Sequence, residues 1–161
     1  MRVLFVCTGN TCRSPMAQAM ASKIFMEKSS KENANDGNIC YVVSAGVAAM
    51  NGETASDNAI TIMQEREIEL AEHRARLVTT EIMEEADLIL AMTVGHKAAL
   101  QRNFPNKEIH TLGEYVGSTI SVADPYGGDL AIYRQCANEI YDLLIKLAER
   151  IFNKDNKNNK N

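Results

Sequence analysis

Nowhere does the sequence approach the roughly 20 consecutive apolar residues that a membrane-spanning helix needs. The apolar run in the opening MRVLFVC is too short for a secretory leader core, and no cleavage pattern follows it. Cysteine is scarce: Cys7, Cys12, Cys40 and Cys136 are the four present. A secreted domain of this size has no need of thiols at that spacing, and a cytosolic one keeps them reduced. His73, His96 and His110 show no metal-ligand spacing with one another or with the cysteines, so no metal is expected and they read as core or solvent histidines. The net charge of −4 comes from acids and bases scattered along the chain. Without a basic stripe, neither nucleic acid nor a membrane is the expected partner. No internal repeat or linker divides the 161 residues. One domain is expected over residues 1–152, in the cytoplasm, with a polar, low-complexity tail at 153–161 that reads as disordered.

What is present is an alternation. Val3 to Val6 is a short β-favouring run. Ser14-Pro15 signals a helix start, and Met16, Met20 and Ile24 recur every fourth residue, which predicts a helix to about Lys28. The polar stretch 29–38 reads as a loop. Ile39 to Val43 predicts a second strand ending in Ser-Ala-Gly, 54–67 a helix, Thr79 to Glu85 a short helix, and Asp87 to Met92 a third strand. Gly95 to Asn103 predicts a helix, Ile109 to Leu112 a fourth strand, and 113–128 a long loop containing DPYGG. Leu130, Tyr133, Ala137, Ile140, Leu144, Leu147 and Ile151 alternate spacings of three and four, the stripe of a core-packed helix. Continuous apolar strands between helices predict an α/β fold with a parallel sheet covered on both faces. Ligands of such sheets bind at the carboxyl ends of the strands.

VCTGNTCRSP, residues 6–15, lies at such an end. A loop running from a strand into a helix N-terminus gathers free amides and positive potential, a natural anion site. Gly9 is expected to let the loop curl its amides inward. Arg13 adds a planar fork suited to two phosphate oxygens. Cys7 at the base of the cradle is the candidate nucleophile, and a positive surround favours the thiolate form of a cysteine. The loop residues Thr8, Gly9, Asn10, Thr11, Cys12 and Ser14 form the candidate substrate-binding cradle. The first product would be a cysteinyl-phosphate, which needs an acid for the leaving group and then a base for water. Asp124, before Pro125 and beside Gly127 and Gly128, is the candidate for both, with Tyr126 as a wall for the substrate side chain. Asp124 also reads as a turn cap, and Tyr126 as loop packing. Cys12 reads either as a small buried residue or as a thiol that pairs with Cys7 under oxidation.

The ordered motifs VCTGNTCRSPMA, SAG at 44–46, HRAR at 73–76, ADLILAM at 86–92 and DPYGG at 124–128 resemble the low-molecular-weight protein tyrosine phosphatases. Within that family they look most like the bacterial protein-arginine phosphatases. The resemblance covers roughly residues 2–150. It implies a three-layer sandwich with a central four-stranded parallel sheet flanked by helices. No cofactor or metal is expected, phosphorylated proteins are the expected partners, and the oligomeric state stays open, with a monomer as the expectation. The resemblance implies Cys7 as nucleophile, Arg13 as phosphate clamp and Asp124 as proton donor, with Asn10, Ser14 and Ser44 holding the loop and Ser14 favouring the thiolate. Tyrosine-specific members usually carry isoleucine at position 11 and often Asp at 93, where this chain has threonine at both. Arginine-type members often have Phe at position 126, where this chain has Tyr.

Phosphoarginine hydrolysis is therefore the expected activity, with phosphotyrosine as the alternative substrate. Arsenate reductases of this fold resemble the loop too but need a mid-chain cysteine pair, and residues 41–135 contain no cysteine. Sugar-transport phosphocarriers also end their first strand on Cys but lack the loop Arg and the distant Asp-Pro.

Overall fold

A computed structural model of the chain describes residues 1–31 and 39–158. Four strands form one parallel sheet: β1 (Arg2–Cys7), β2 (Tyr41–Gly46), β3 (Leu88–Ala91) and β4 (Ile109–Thr111), in the order β2-β1-β3-β4. Six helices connect or cover them: α1 (Arg13–Lys31), α2 (Asp57–Gln64), α3 (Thr80–Glu85), α4 (Val94–Asn103), α5 (Leu112–Tyr115) and α6 (Leu130–Asn158).

The period-2 geometry of β1 sorts the core into two layers. Val3, Phe5 and Cys7 join the side of the sheet that receives Met16 and Met20 of α1, Ile62 of α2, and Ile140, Leu144 and Leu147 of α6. Leu4 and Val6 face the other side, with Met83 of α3, Leu100 of α4, and Ile89, Ala91 and Ile109 of the neighbouring strands. Both faces are covered, which is why the strands read as uninterrupted apolar runs. The chain leaves β1 toward β2 on one side and returns past it to β3 on the other. Order therefore reverses at β1, and the crevice at its carboxyl end is the ligand position of such a sheet.

Helix starts follow hydroxyl chemistry. Ser56, Thr79, Thr93 and Thr111 cap α2, α3, α4 and α5, each accepting the amide three residues on. These caps set starts that periodicity alone left open: α2 opens at Asp57 and not at 54. The helix α1 begins at Arg13, one residue before the expected Ser14 cap, because the Ser14 hydroxyl is engaged in the loop below it. It also runs to Lys31, taking up the first three residues of the expected 29–38 loop; residues 32–38 of that loop lie outside the described residues. Short α5 replaces the start of the expected 113–128 loop. Four residues are too few for a helical period to be read, and Thr111 and the Lys97–Glu114 ion pair hold them. The helix α6 continues to Asn158, into the segment expected to be disordered, since adding turns to a packed helix avoids a new nucleation step. Residues 159–161 of that tail lie outside the described residues. No helix among the described residues is long and apolar enough to cross a membrane.

The packing of α6 is tested at Leu144, which is fully buried. Leu144→Ala should lower unfolding free energy by about 2–5 kcal/mol, measured by urea titration, because the cavity adds to the lost transfer energy.

Candidate active site

β1 delivers Cys7 to the floor of the crevice, where it is 2% exposed. The chain then turns through residues 8–12 and enters α1. Gly9 was expected to supply the left-handed turn, but that conformation falls on Asn10, at φ +55°. Asparagine tolerates it because its short polar side chain bonds locally. Here Asn10 Nδ2 donates to Ser14 Oγ and to Ser44 Oγ, both at 2.9 Å, and Oδ1 accepts the Arg76 amide at 3.0 Å. Its carbonyl accepts His73 Nε2 at 2.8 Å. Gly46 is the glycine this loop requires: a Cβ there would meet Thr8 O at 2.4 Å and Asn10 N at 2.9 Å.

Ser14 Oγ, having accepted from Asn10, directs its own proton. Cys7 Sγ lies 2.9 Å away, against 3.4 Å for Ala45 O. A hydroxyl donating to sulfur stabilises the anionic form. Ser44 passes its proton to Gln18 Oε1 at 2.6 Å, and its carbonyl accepts Arg76 Nε at 2.9 Å. Asn10, Ser14 and Ser44 are thus brought together behind the loop, and all three are buried.

Arg13 is buried, and its two terminal nitrogens diverge. Nη1 donates to Val122 O at 3.1 Å, and Nη2 lies 3.3 Å from Asp124 Oδ2. The long loop after α5 thereby brings Asp124 to the nucleophile loop. The two carboxylate oxygens of Asp124 are divided. Oδ1 closes a turn on the Tyr126 amide at 3.1 Å, the capping contact that sequence allowed, while Oδ2 faces Arg13. Tyr126 stands 82% exposed at the rim. Thr11 is half-buried and fixed through its carbonyl, which accepts the Ser56 amide at 2.9 Å. Cys12 turns its sulfur to Ser56 Oγ and to Tyr133 OH, each at 3.3 Å. All four thiols are free. Burial pushes the Cys40 thiol up to about 11 and the Cys136 thiol up to about 12.

Two histidines that read as ordinary core or solvent residues brace the loop. His73 holds the Asn10 carbonyl, and His96 Nε2 lies 2.8 Å from Thr8 Oγ1. His73 and Arg76 belong to the HRAR stretch, which marked them as a motif but gave no role. His96, Gln18, Ser56 and Tyr133 carried no sequence signal, because each meets the loop only through tertiary packing. Burial is the largest cause of a lowered pKa at both histidines. His96 falls to about 4, with Arg13 adding to the effect and Asp124 opposing it. At His73 the bond to Asn10 opposes burial, and Arg76 and Arg74 reinforce it.

The arrangement sets a buried sulfur at the start of a strand-to-helix loop, a buried guanidinium at its end and a carboxylate against that guanidinium. The family model described as low molecular weight phosphotyrosine protein phosphatase matches residues 2–158. The chain is 41% identical over 154 residues to a protein-arginine-phosphatase of Bacillus subtilis, covering 94% of this chain and 97% of the relative. It is 40% identical over 153 residues to a protein-arginine-phosphatase of Geobacillus stearothermophilus, covering 93% and 95%. Among solved structures, a mutant of the YwlE arginine phosphatase with a phosphorylated active-site serine superimposes with a TM-score of 0.86 at 40% identity, covering 94% of this chain and 95% of that one. The chain belongs to the low-molecular-weight phosphotyrosine protein phosphatase family.

The lowered histidines make stability depend on pH. As pH falls below the ordinary histidine value of 6.5 toward about 4, the unfolded chain takes up protons before the folded one does. Stability should fall across that window. Urea unfolding at pH 7 and pH 5 should show it, and His96→Gln should lose less on acidification than the parent.

Proposed function

We propose that this member of the low-molecular-weight phosphatase family hydrolyses phosphoarginine on proteins, with Cys7 as nucleophile, Arg13 as phosphate clamp and Asp124 as acid and then base. The observation that carries this reading is the Arg13–Asp124 contact at 3.3 Å. It brings a guanidinium and a carboxylate together at the loop that Cys7 begins, the pairing a phosphate clamp and a proton carrier would need. The likeness to two protein-arginine-phosphatases supports the substrate.

The steps follow from the geometry. A phosphoryl group enters the ring of amides from Thr8 to Ser14, and Arg13 pairs with two of its oxygens. These donors meet the charge that spreads over the equatorial oxygens in the transition state. The Cys7 sulfur forms a bond to phosphorus as the phosphorus–nitrogen bond breaks. The protonated Asp124 carboxyl gives its proton to the departing nitrogen, which leaves as a stable guanidinium. A water molecule then attacks the cysteinyl-phosphate, Asp124 takes its proton, and the sulfur–phosphorus bond breaks to release phosphate and the thiolate. The Ser14 hydroxyl at 2.9 Å supports the anionic sulfur at both ends of the cycle. The related arginine phosphatase structure carries a phosphorylated active-site serine, which supports a phosphoenzyme step.

Thr11 is the residue at which substrate choice is expected. Its hydroxyl can bond a guanidinium N–H or a water held against one, which an aliphatic side chain cannot. A pocket that offers a hydrogen bond discriminates more sharply than an apolar one. Tyr126, exposed on the opposite rim, would pack along the substrate side chain.

Turnover on phosphoarginine and phosphotyrosine peptides tests the reading directly. Phosphoarginine should be the better substrate; a strong preference for phosphotyrosine would overturn the assignment. Thr11→Ile should shift the kcat/KM ratio toward phosphotyrosine by about tenfold or more. Cys7→Ser should show no turnover. Asp124→Asn should lose about 10²- to 10⁴-fold in kcat, with phosphoenzyme detectable by mass spectrometry. An unchanged rate in either variant would remove that residue from the mechanism.

A further inference from the structure

A second hydrogen-bonded chain ends on the nucleophile loop, apart from the Asn10 network. Thr93 Oγ1, the cap of α4, accepts the His96 amide at 3.3 Å and lies 3.0 Å from His96 Nδ1. At the opposite edge of the ring, Nε2 lies 2.8 Å from Thr8 Oγ1. Thr8 directly follows Cys7. Its carbonyl is tied to the Ala48 amide at 3.0 Å, so main chain and side chain are both held, while the residue itself stays exposed at the mouth of the crevice.

The direction of this chain follows from donor and acceptor accounting. His96 is 7% exposed, and its lowered pKa, about 4, leaves the ring neutral at pH 7, with one N–H and one lone pair. Thr93 Oγ1 already accepts a main-chain amide, and among the described residues Nδ1 is the acceptor within reach of its own proton. Taking Nδ1 as the lone-pair side uses that proton, and Nε2–H then donates to Thr8 Oγ1. The Thr8 hydroxyl proton is left free. Arg13 and Asp124 are the charged groups that act on the ring, and Thr8 opens the loop that Arg13 closes.

We propose that His96 is a positioning residue: through the Thr93–His96–Thr8 chain it holds the Thr8 hydroxyl with its proton directed into the cradle, where it donates to a phosphoryl oxygen of the substrate. The proposal rests on the phosphatase reading but not on the choice of phosphoarginine, because the phosphoryl group is common to every substrate of such a site. Thr8 thus adds a side-chain donor to the main-chain amides and Arg13. Unlike Thr11, it acts on rate without acting on selectivity.

The test measures kcat/KM on p-nitrophenyl phosphate and on a phosphoarginine peptide for Thr8→Val, His96→Asn, His96→Gln and the double variant Thr8→Val/His96→Asn. Asparagine places its amide near the Nδ1 position and keeps the Thr93 contact alone. Glutamine reaches the Nε2 position and keeps the Thr8 contact. Loss of a hydrogen bond to a charged oxygen corresponds to about tenfold or more. Thr8→Val and His96→Asn should each lose that factor on both substrates, and the double variant should lose no more than the worse single one. His96→Gln should recover to within about threefold of the parent. A merely structural role at the start of α4 would favour asparagine over glutamine and make the double loss multiplicative; either result overturns the proposal, as does an unchanged Thr8→Val. Should His96→Asn fail to fold, ring nitrogen shifts of the parent protein decide: the Nε2–H tautomer is expected, and the Nδ1–H tautomer overturns the relay. Absent turnover of phosphoarginine with these effects intact on p-nitrophenyl phosphate would overturn the substrate assignment alone.

Discussion

The buried side chain of Asn10 is the constraint on which the rest of the site depends. The turn through residues 8–12 belongs to no strand or helix, so its shape is imposed from outside. Asn10 takes the one left-handed conformation in the loop and then uses both amide hydrogens, its amide oxygen and its carbonyl to tie that conformation to α1, β2 and the HRAR segment. An alanine at this position would leave several buried donors and acceptors unpaired at once, each costing about 1–3 kcal/mol. The same network also reaches the sulfur, because the Ser14 hydroxyl that accepts from Asn10 lies 2.9 Å from Cys7 Sγ. Loop shape and nucleophile state are therefore one structural problem with one solution.

Arg13 supplies the second constraint. A guanidinium 4% exposed carries a desolvation cost that only well-made partners offset. With the crevice open, Val122 O and Asp124 fill that role. A phosphate dianion would compete for the same fork. In the proposed mechanism, phosphate binding would displace Asp124 from Arg13.

Much of the fold was legible because its elements are governed by local rules. The apolar run of β1 and the stripe of α6 each follow from residues within a few positions of one another. The elements that escaped are those whose cause is distant. Short α5 is held by Lys97 of α4, and no four-residue window could announce that. Gly9 looked like the flexible point of the loop because glycine is the usual answer to a tight turn. The turn falls on Asn10 because three partners bond its side chain, Ser14, Ser44 and the Arg76 amide, and a glycine would leave all three without it. His96 looked ordinary because Thr8 and Thr93, its partners, are joined only when β1 and β3 pair.

By itself, the sequence determined the layered α/β fold, the strand-to-helix loop with Cys7 and Arg13 at its two ends, and the Asp-Pro loop that carries Asp124, since these are matters of periodicity, residue type and short spacing. Only the tertiary structure decided which residue bends the loop, which hydroxyl faces the sulfur, and that two unremarked histidines brace the cradle from separate elements. The reason is that a hydrogen bond depends on angle and distance within a few tenths of an ångström. Those quantities are set where strands and helices from distant parts of the chain pack together, and no local stretch of sequence contains them.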